Sequence, residues 1–269
     1  MRLVLLLVVF TGVSALASVI LGAVADAPFW RLVLGVVTAA LALWLYAGAV
    51  RFTERRSAIE LRMVDARAGL IRGAATGLVL FAVVIAVIAL FGGYRITGWG
   101  SVGGAVAVLG LMCAVAVTEE LLFRGVLLRI VEELTGTWAA LAISAVFFGG
   151  LHLLNPGATA WGALAIAVEA GLMLGAAYVA TRSLWLPIGL HLAWNTAEAG
   201  IFGTTVSGTD HGSLGLLQAT MSGPTALTGG DFGPEASVVA IIVCALPTVL
   251  FLRTARRRGR CYRRRDNRA

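Results

Sequence analysis

The run Ala116-Val117-Thr118-Glu119-Glu120-Leu121-Leu122-Phe123-Arg124-Gly125 places three ionisable side chains within six positions of an otherwise apolar stretch. If that stretch lies in lipid, each charge near the bilayer centre costs about 2.5–3.5 kcal/mol on insertion scales. A chain that keeps three of them together in a span has a use for them: ions, protons or chemistry.

Composition places the run in lipid. Hydrophobic residues make up 59% of the 269 residues, charged residues 13%, and mean hydropathy is +0.92. Soluble domains carry about 25% charged residues. A span needs about 20 apolar residues, and eight such stretches are legible, near 3–25, 29–50, 73–92, 103–128, 138–154, 159–181, 184–202 and 236–252. The expected fold is an all-α polytopic transmembrane helical bundle of about eight spans.

The net charge of +7 comes with no lysine; all 21 cations are arginines. A basic balance alone can point to nucleic acid, but the placement argues against it. Six arginines fall in 51–72 and nine from Arg253 to Arg268. Both segments read as cytoplasmic flanks of spans. Six spans lie between them, so the arrangement is self-consistent, and an integral protein of a plasma membrane, bacterial by composition, is expected. The segment 203–235 holds Asp210, Asp231 and Glu235 and no arginine, and so falls outside. Its Gly, Ser and Thr content reads as a flexible loop. Residues 51–72 read equally as an amphipathic helix on the inner leaflet or as a solvated loop. Residues 1–25 read as a first span, with a cleaved signal peptide as the competing reading. Cys113, Cys244 and Cys261 form no CxxC and no disulfide framework. No internal repeat of the kind a transporter would carry is visible.

Three polar or aromatic pairs at helical spacing lie in three different spans: Glu120 with Arg124, Phe148 with His152, and His191 with Asn195. Residues at i and i+4 project from one helix face. Singly, each has an ordinary explanation. Glu120 and Arg124 can be a self-neutralising ion pair, and a histidine or asparagine can be an interhelical hydrogen-bonding group. Glu119, about 100° around the helix from Glu120, then needs another partner or a raised pKa. Together, in a chain with three histidines, they point to a site; the third, His211, sits in the loop and reads as incidental. A hairpin turning near Gly136 sets Glu119 and His152 at similar depth. Linear counting puts His191 nearer the cytoplasmic face, with Pro187 and Gly189 as possible distortions of that helix start.

The three motifs, in this order and spacing, resemble the CPBP family of intramembrane proteases, which includes the CAAX prenyl endopeptidases and the bacteriocin-processing or immunity proteins of the Abi type. The resemblance covers residues 103–202 as a catalytic core. It leaves 1–102 as N-terminal spans with the basic loop 51–72, 203–235 as an external loop, and 236–269 as a last span with a basic tail. It implies that Glu119 with His152 activates a water, that His191 and Asn195 donate to the oxyanion, and that Glu120, Arg124 and Phe148 support them. The implied substrate is a membrane-associated peptide or protein. Prenylated proteins are not expected as its substrates in a bacterial chain. No cofactor is expected. Zinc on Glu119, His152 and His191 is the alternative, disfavoured by the absence of HExxH and of a further carboxylate behind the ligands. A non-catalytic immunity or scaffold protein of the same fold is the other.

The topology is open to direct test. A reporter fused after Ala269 is expected to behave as cytoplasmic, and one inserted near Gly212 as external. The opposite pattern would overturn the span count.

Overall fold

The protein is described by a computed structural model covering residues 2–209 and 214–262. Seven helices in it are long and apolar enough to cross a membrane: α1 (Arg2–Gly22), α2 (Pro28–Glu54), α3 (Met63–Leu90), α4 (Val102–Thr135), α5 (Thr137–Leu154), α6 (Ala160–Thr181) and, last in the chain, Val238–Arg257. The protein is an integral membrane helical bundle. Several helix starts are set by local chemistry. Ser101, Thr159 and Ser237 each accept a bond from the backbone N–H three residues on, which satisfies a donor that the first turn leaves unpaired. The turn between α4 and α5 is made at Gly136, whose φ of 83° suits glycine.

The remaining apolar stretch, 184–202, forms α7: a regular helix Trp185–Asn195 that continues as a π-turn Thr196–Ile201. It is shorter than the about 20 residues a span needs, yet it runs alongside most of α3. Trp185 Nε1 donates to Arg62 O at its start, and Tyr94 Oη donates to Phe202 O at its end. Arg62 precedes α3 and Tyr94 follows it. A stripe of glycines in α3 makes this contact close. A Cβ at Gly73 would stand 2.3 Å from Leu186 O, and one at Gly77 would stand 2.3 Å from Leu190 O. Small residues at four-residue spacing let backbones approach in this way. Naming the final helix α8 (Val238–Arg257) completes the bundle.

The segment between α2 and α3 is neither a free amphipathic helix nor an open loop. The two helices run into it, leaving a short turn at Ile59–Leu61. Its Glu60 is buried. Arg56 donates twice to Glu60 and once to Glu54, and Tyr46 Oη donates to Glu60 Oε1 at 2.6 Å and lies 2.8 Å from Gly125 O. Burial alone would raise the Glu60 carboxyl, but the bonds from Arg56 and Tyr46 hold it below the usual carboxylate range. Arg129 forks onto Glu54. This arginine-rich end of the bundle is therefore tied together.

The loop expected to be loose is largely packed. Asp210, His211, Gly212 and Ser213 lie outside the described residues, as does the tail from Arg263. Of the rest, Leu217–Met221 (β2) pairs antiparallel with Tyr94–Trp99 (β1), and Thr204, Ser207, Thr228, Phe232 and Glu235 are buried. Gly, Ser and Thr here serve close backbone approach rather than flexibility. Gly157 N donates to Gly208 O at 2.8 Å, and Gly208 N to Phe232 O at 2.7 Å.

Gly73→Val drives a side chain into the α7 backbone. Overpacking costs about 1–3 kcal/mol, so the midpoint of thermal unfolding in detergent is expected to fall. Gly12→Val on α1, where nothing lies within 4 Å of the added Cβ, is expected to leave it in place.

Candidate active site

Glu119 and Glu120 end the regular part of α4, directly before a π-helical stretch at Leu121–Leu128. Two more π-turns follow, at Ala167–Gly171 in α6 and Thr196–Ile201 in α7. Single π-turns inside α-helices recur at functional sites, and here each adjoins a polar residue of the site.

Arg124 and Glu120 are both fully buried, and Arg124 Nη1 donates to Glu120 Oε1 at 2.6 Å. Arg124 Nη2 donates to Ala170 O at 3.2 Å and Gly171 O at 3.3 Å, at the end of the α6 π-turn. Its guanidinium carbon lies 4.6 Å from the centre of the Phe148 ring. Glu120 Oε1 also meets His191 Nδ1 at 3.0 Å. An ionised carboxylate can only accept, so this nitrogen carries the proton and donates. The pair expected from spacing is present, and it holds His191 as well.

Glu119 lies beside His191. Its Oε2 is buried without a hydrogen-bond partner and stands 3.9 Å from His191 Nε2. No such approach joins Glu119 to His152 among the described residues. His152 ends α5 with its Nδ1 2.7 Å from Phe148 O. A carbonyl only accepts, so Nδ1–H donates and Nε2 is left as an acceptor. Phe148 is the shared wall, with its ring 4.8 Å from His152 and 6.2 Å from His191.

His191 is not shallow relative to Glu119. Its Nε2 comes within 3.9 Å of Glu119 Oε2. Pro187 sits in the first turn of α7, where its missing N–H is least costly.

A cavity of about 20 Å³ is lined by Phe148, His152, Glu169, His191, Asn195 and Glu235, among others. That is room for about one water, and the side chains of His152, His191 and Asn195 offer it polar partners. Glu119 approaches His191 but does not line this cavity. A larger cavity, about 760 Å³, lies between β2 and residues 228–234 and contains none of these side chains. Among the described residues no three His, Cys, Asp or Glu side chains converge as metal ligands. Glu119, His152 and His191 therefore do not form a zinc set in this arrangement.

The sequence reading missed three buried acids. Glu169 and Glu198 lie in apolar spans, where a charged residue is itself a signal, and the reasoning that singled out Glu119 applies equally to them. Glu169 accepts from Cys244 Sγ at 3.3 Å. Glu198 is fully buried. Glu235 sits in the polar segment before α8, and nothing local marks it.

Arg124→Ala is expected to destabilise the protein, since it strands the buried Glu120 carboxylate. Removing one partner of a buried pair costs about 3–5 kcal/mol. Thermal unfolding of purified protein measures this; an unchanged midpoint would mean that the pair is not structural.

Residues 101–197 match the family model of the type II CAAX prenyl endopeptidase Rce1-like proteins. No curated protein and no solved structure matches the chain. The matched stretch contains the motifs of Glu119, Phe148–His152 and His191–Asn195, and it ends before the packed segment that follows α7. Over residues 101–197, then, this integral membrane protein is similar to the type II CAAX prenyl endopeptidase Rce1-like proteins.

Proposed function

We propose that the protein is a glutamate-dependent intramembrane endopeptidase acting on membrane-associated peptides or proteins. The observation that carries this reading is the buried Glu119 Oε2, without a hydrogen-bond partner, beside His191, which itself lines a cavity of one-water size. Glu119 takes a proton from water as its oxygen attacks the scissile carbonyl. A base held in place contributes about 10²–10⁴-fold. His152, with Nδ1–H spent on Phe148 O, offers Nε2 as an acceptor that orients the water. The Asn195 amide donates to the developing oxyanion, and His191 does so from Nε2 when that nitrogen carries a proton. Preorganised donors of this kind stabilise charge that appears only in the transition state. The proton held by Glu119 passes to the leaving amine as the C–N bond breaks. Arg124 and Glu120 hold His191 and the helix that carries Glu119.

No step is routed through a metal, because the donors do not converge. The substrate class named by the family gives a first probe, a farnesylated peptide ending in a CAAX sequence, alongside its unprenylated form. In lipid nanodiscs, Glu119→Gln is expected to reduce cleavage by about 10²–10⁴-fold while the protein stays folded. Wild-type activity is expected to persist after prolonged chelation. Near-full activity of the Gln variant would remove Glu119 as the base. Loss on chelation with recovery on added zinc would return the site to the metalloproteases. Binding of the peptides without cleavage by wild type would favour a scaffold of the same fold.

A further inference from the structure

We infer that Glu235 is a positioning residue that clamps the two halves of the site together. The inference rests on the active-site assignment above and extends it to a part of the chain outside residues 101–197. His152 ends α5, whereas His191 and Asn195 lie on α7. The two are joined through one buried carboxyl group. Trp194, the residue before Asn195, donates from Nε1 to Glu235 Oε1 at 2.9 Å. Ser207 Oγ donates to Glu235 Oε2. Asn155, three residues after His152, donates from Nδ2 to Ser207 O at 2.7 Å, and its own N–H donates to His152 O. The path from His152 to Asn195 thus runs through Asn155, Ser207, Glu235 and Trp194.

The carboxylate is well placed to fix a distance. Glu235 is 2% exposed, and both of its oxygens are bonded to groups on different segments. Trp161 Nε1 donates to Ala236 O at 2.8 Å, which pins the adjoining backbone to α6. Glu235 and Ser207 line the same small cavity as His152, His191 and Asn195. Leaving the partners of a buried hydrogen-bonded group unmet is costly. A displacement of 1 Å in a catalytic geometry can cost about 10²-fold in rate. The clamp therefore acts on turnover through geometry and not through contact with substrate.

The test compares Glu235→Ala with Glu235→Gln in the full chain. Glutamine keeps both links: its carbonyl accepts from Trp194, and its amide donates to the Ser207 hydroxyl. The readout that does not depend on activity is the NMR spectrum of the imidazole C–H groups of His152 and His191 and of the Trp194 indole N–H. In Glu235→Ala all three signals are expected to move, and in Glu235→Gln to stay near wild type. With a cleavable peptide, Glu235→Ala is expected to lower kcat by about 10²-fold with KM little changed, and Glu235→Gln to restore most of it. Should Glu235→Ala fail to fold, Ser207→Ala, which removes one link, is read in the same way through His152. Histidine signals unmoved in Ala, or moved equally in Ala and Gln, would overturn the clamp. If wild type cleaves no peptide, the protease reading fails, while the imidazole signals still decide the clamp.

Discussion

A single buried guanidinium organises the centre of this bundle. Arg124 has no exposed surface, and its surroundings come from four helices. Glu120 on its own helix takes one nitrogen, carbonyls of α6 take another, the Phe148 ring of α5 lies against its face, and Glu120 passes the connection to His191 on α7. Removing a charge of either sign from this set would leave the others uncompensated in a low-dielectric interior, where an isolated charge is far more costly than in water. The helices are therefore constrained to one mutual arrangement, and the chemistry-bearing side chains are carried by that arrangement.

The π-turns complete the same constraint. They occur at 121–128, 167–171 and 196–201. In two of them, carbonyls are used by side chains: Gly125 O accepts from Arg129 four residues on and lies 2.8 Å from Tyr46 Oη of α2, and Ala170 O and Gly171 O accept from Arg124 of α4. Within lipid every polar backbone group needs a partner. Side chains supply it here, and the local widening of the helices re-aims the neighbouring residues toward the centre.

The protein is built in two levels about this centre. At the arginine-rich end, Glu54, Glu60 and Glu132 are paired with Arg56, Arg129 and Arg182. At the other end no arginine meets the acids Glu169, Glu198 and Glu235 in a salt bridge among the described residues, and Glu235 instead meets neutral donors. Ion pairs hold the first end, and a folded-back segment closes the second. The family match covers the helices that carry the motifs, whereas the closure is built from residues beyond it.

Much of the architecture could be read directly from the chain, because lipid imposes a simple rule. Runs of about 20 apolar residues must become spanning helices, and charges inside them must have a reason. This was enough for the helical bundle and for the Glu120–Arg124 pair at i and i+4. Three things were decided only by tertiary structure. Glu119 lies beside His191 and not within ion-pair reach of His152, because the packing of α4, α5 and α7 against one another, and not spacing along any one of them, sets which side chains meet. The polar segment after α7 packs as a cap, because its glycines permit backbone contacts that composition alone reads as flexibility. Glu235 faces the histidines from 40 residues beyond Asn195. Sequence periodicity is local, and it carries no information about which distant residue a folded-back segment brings to a site.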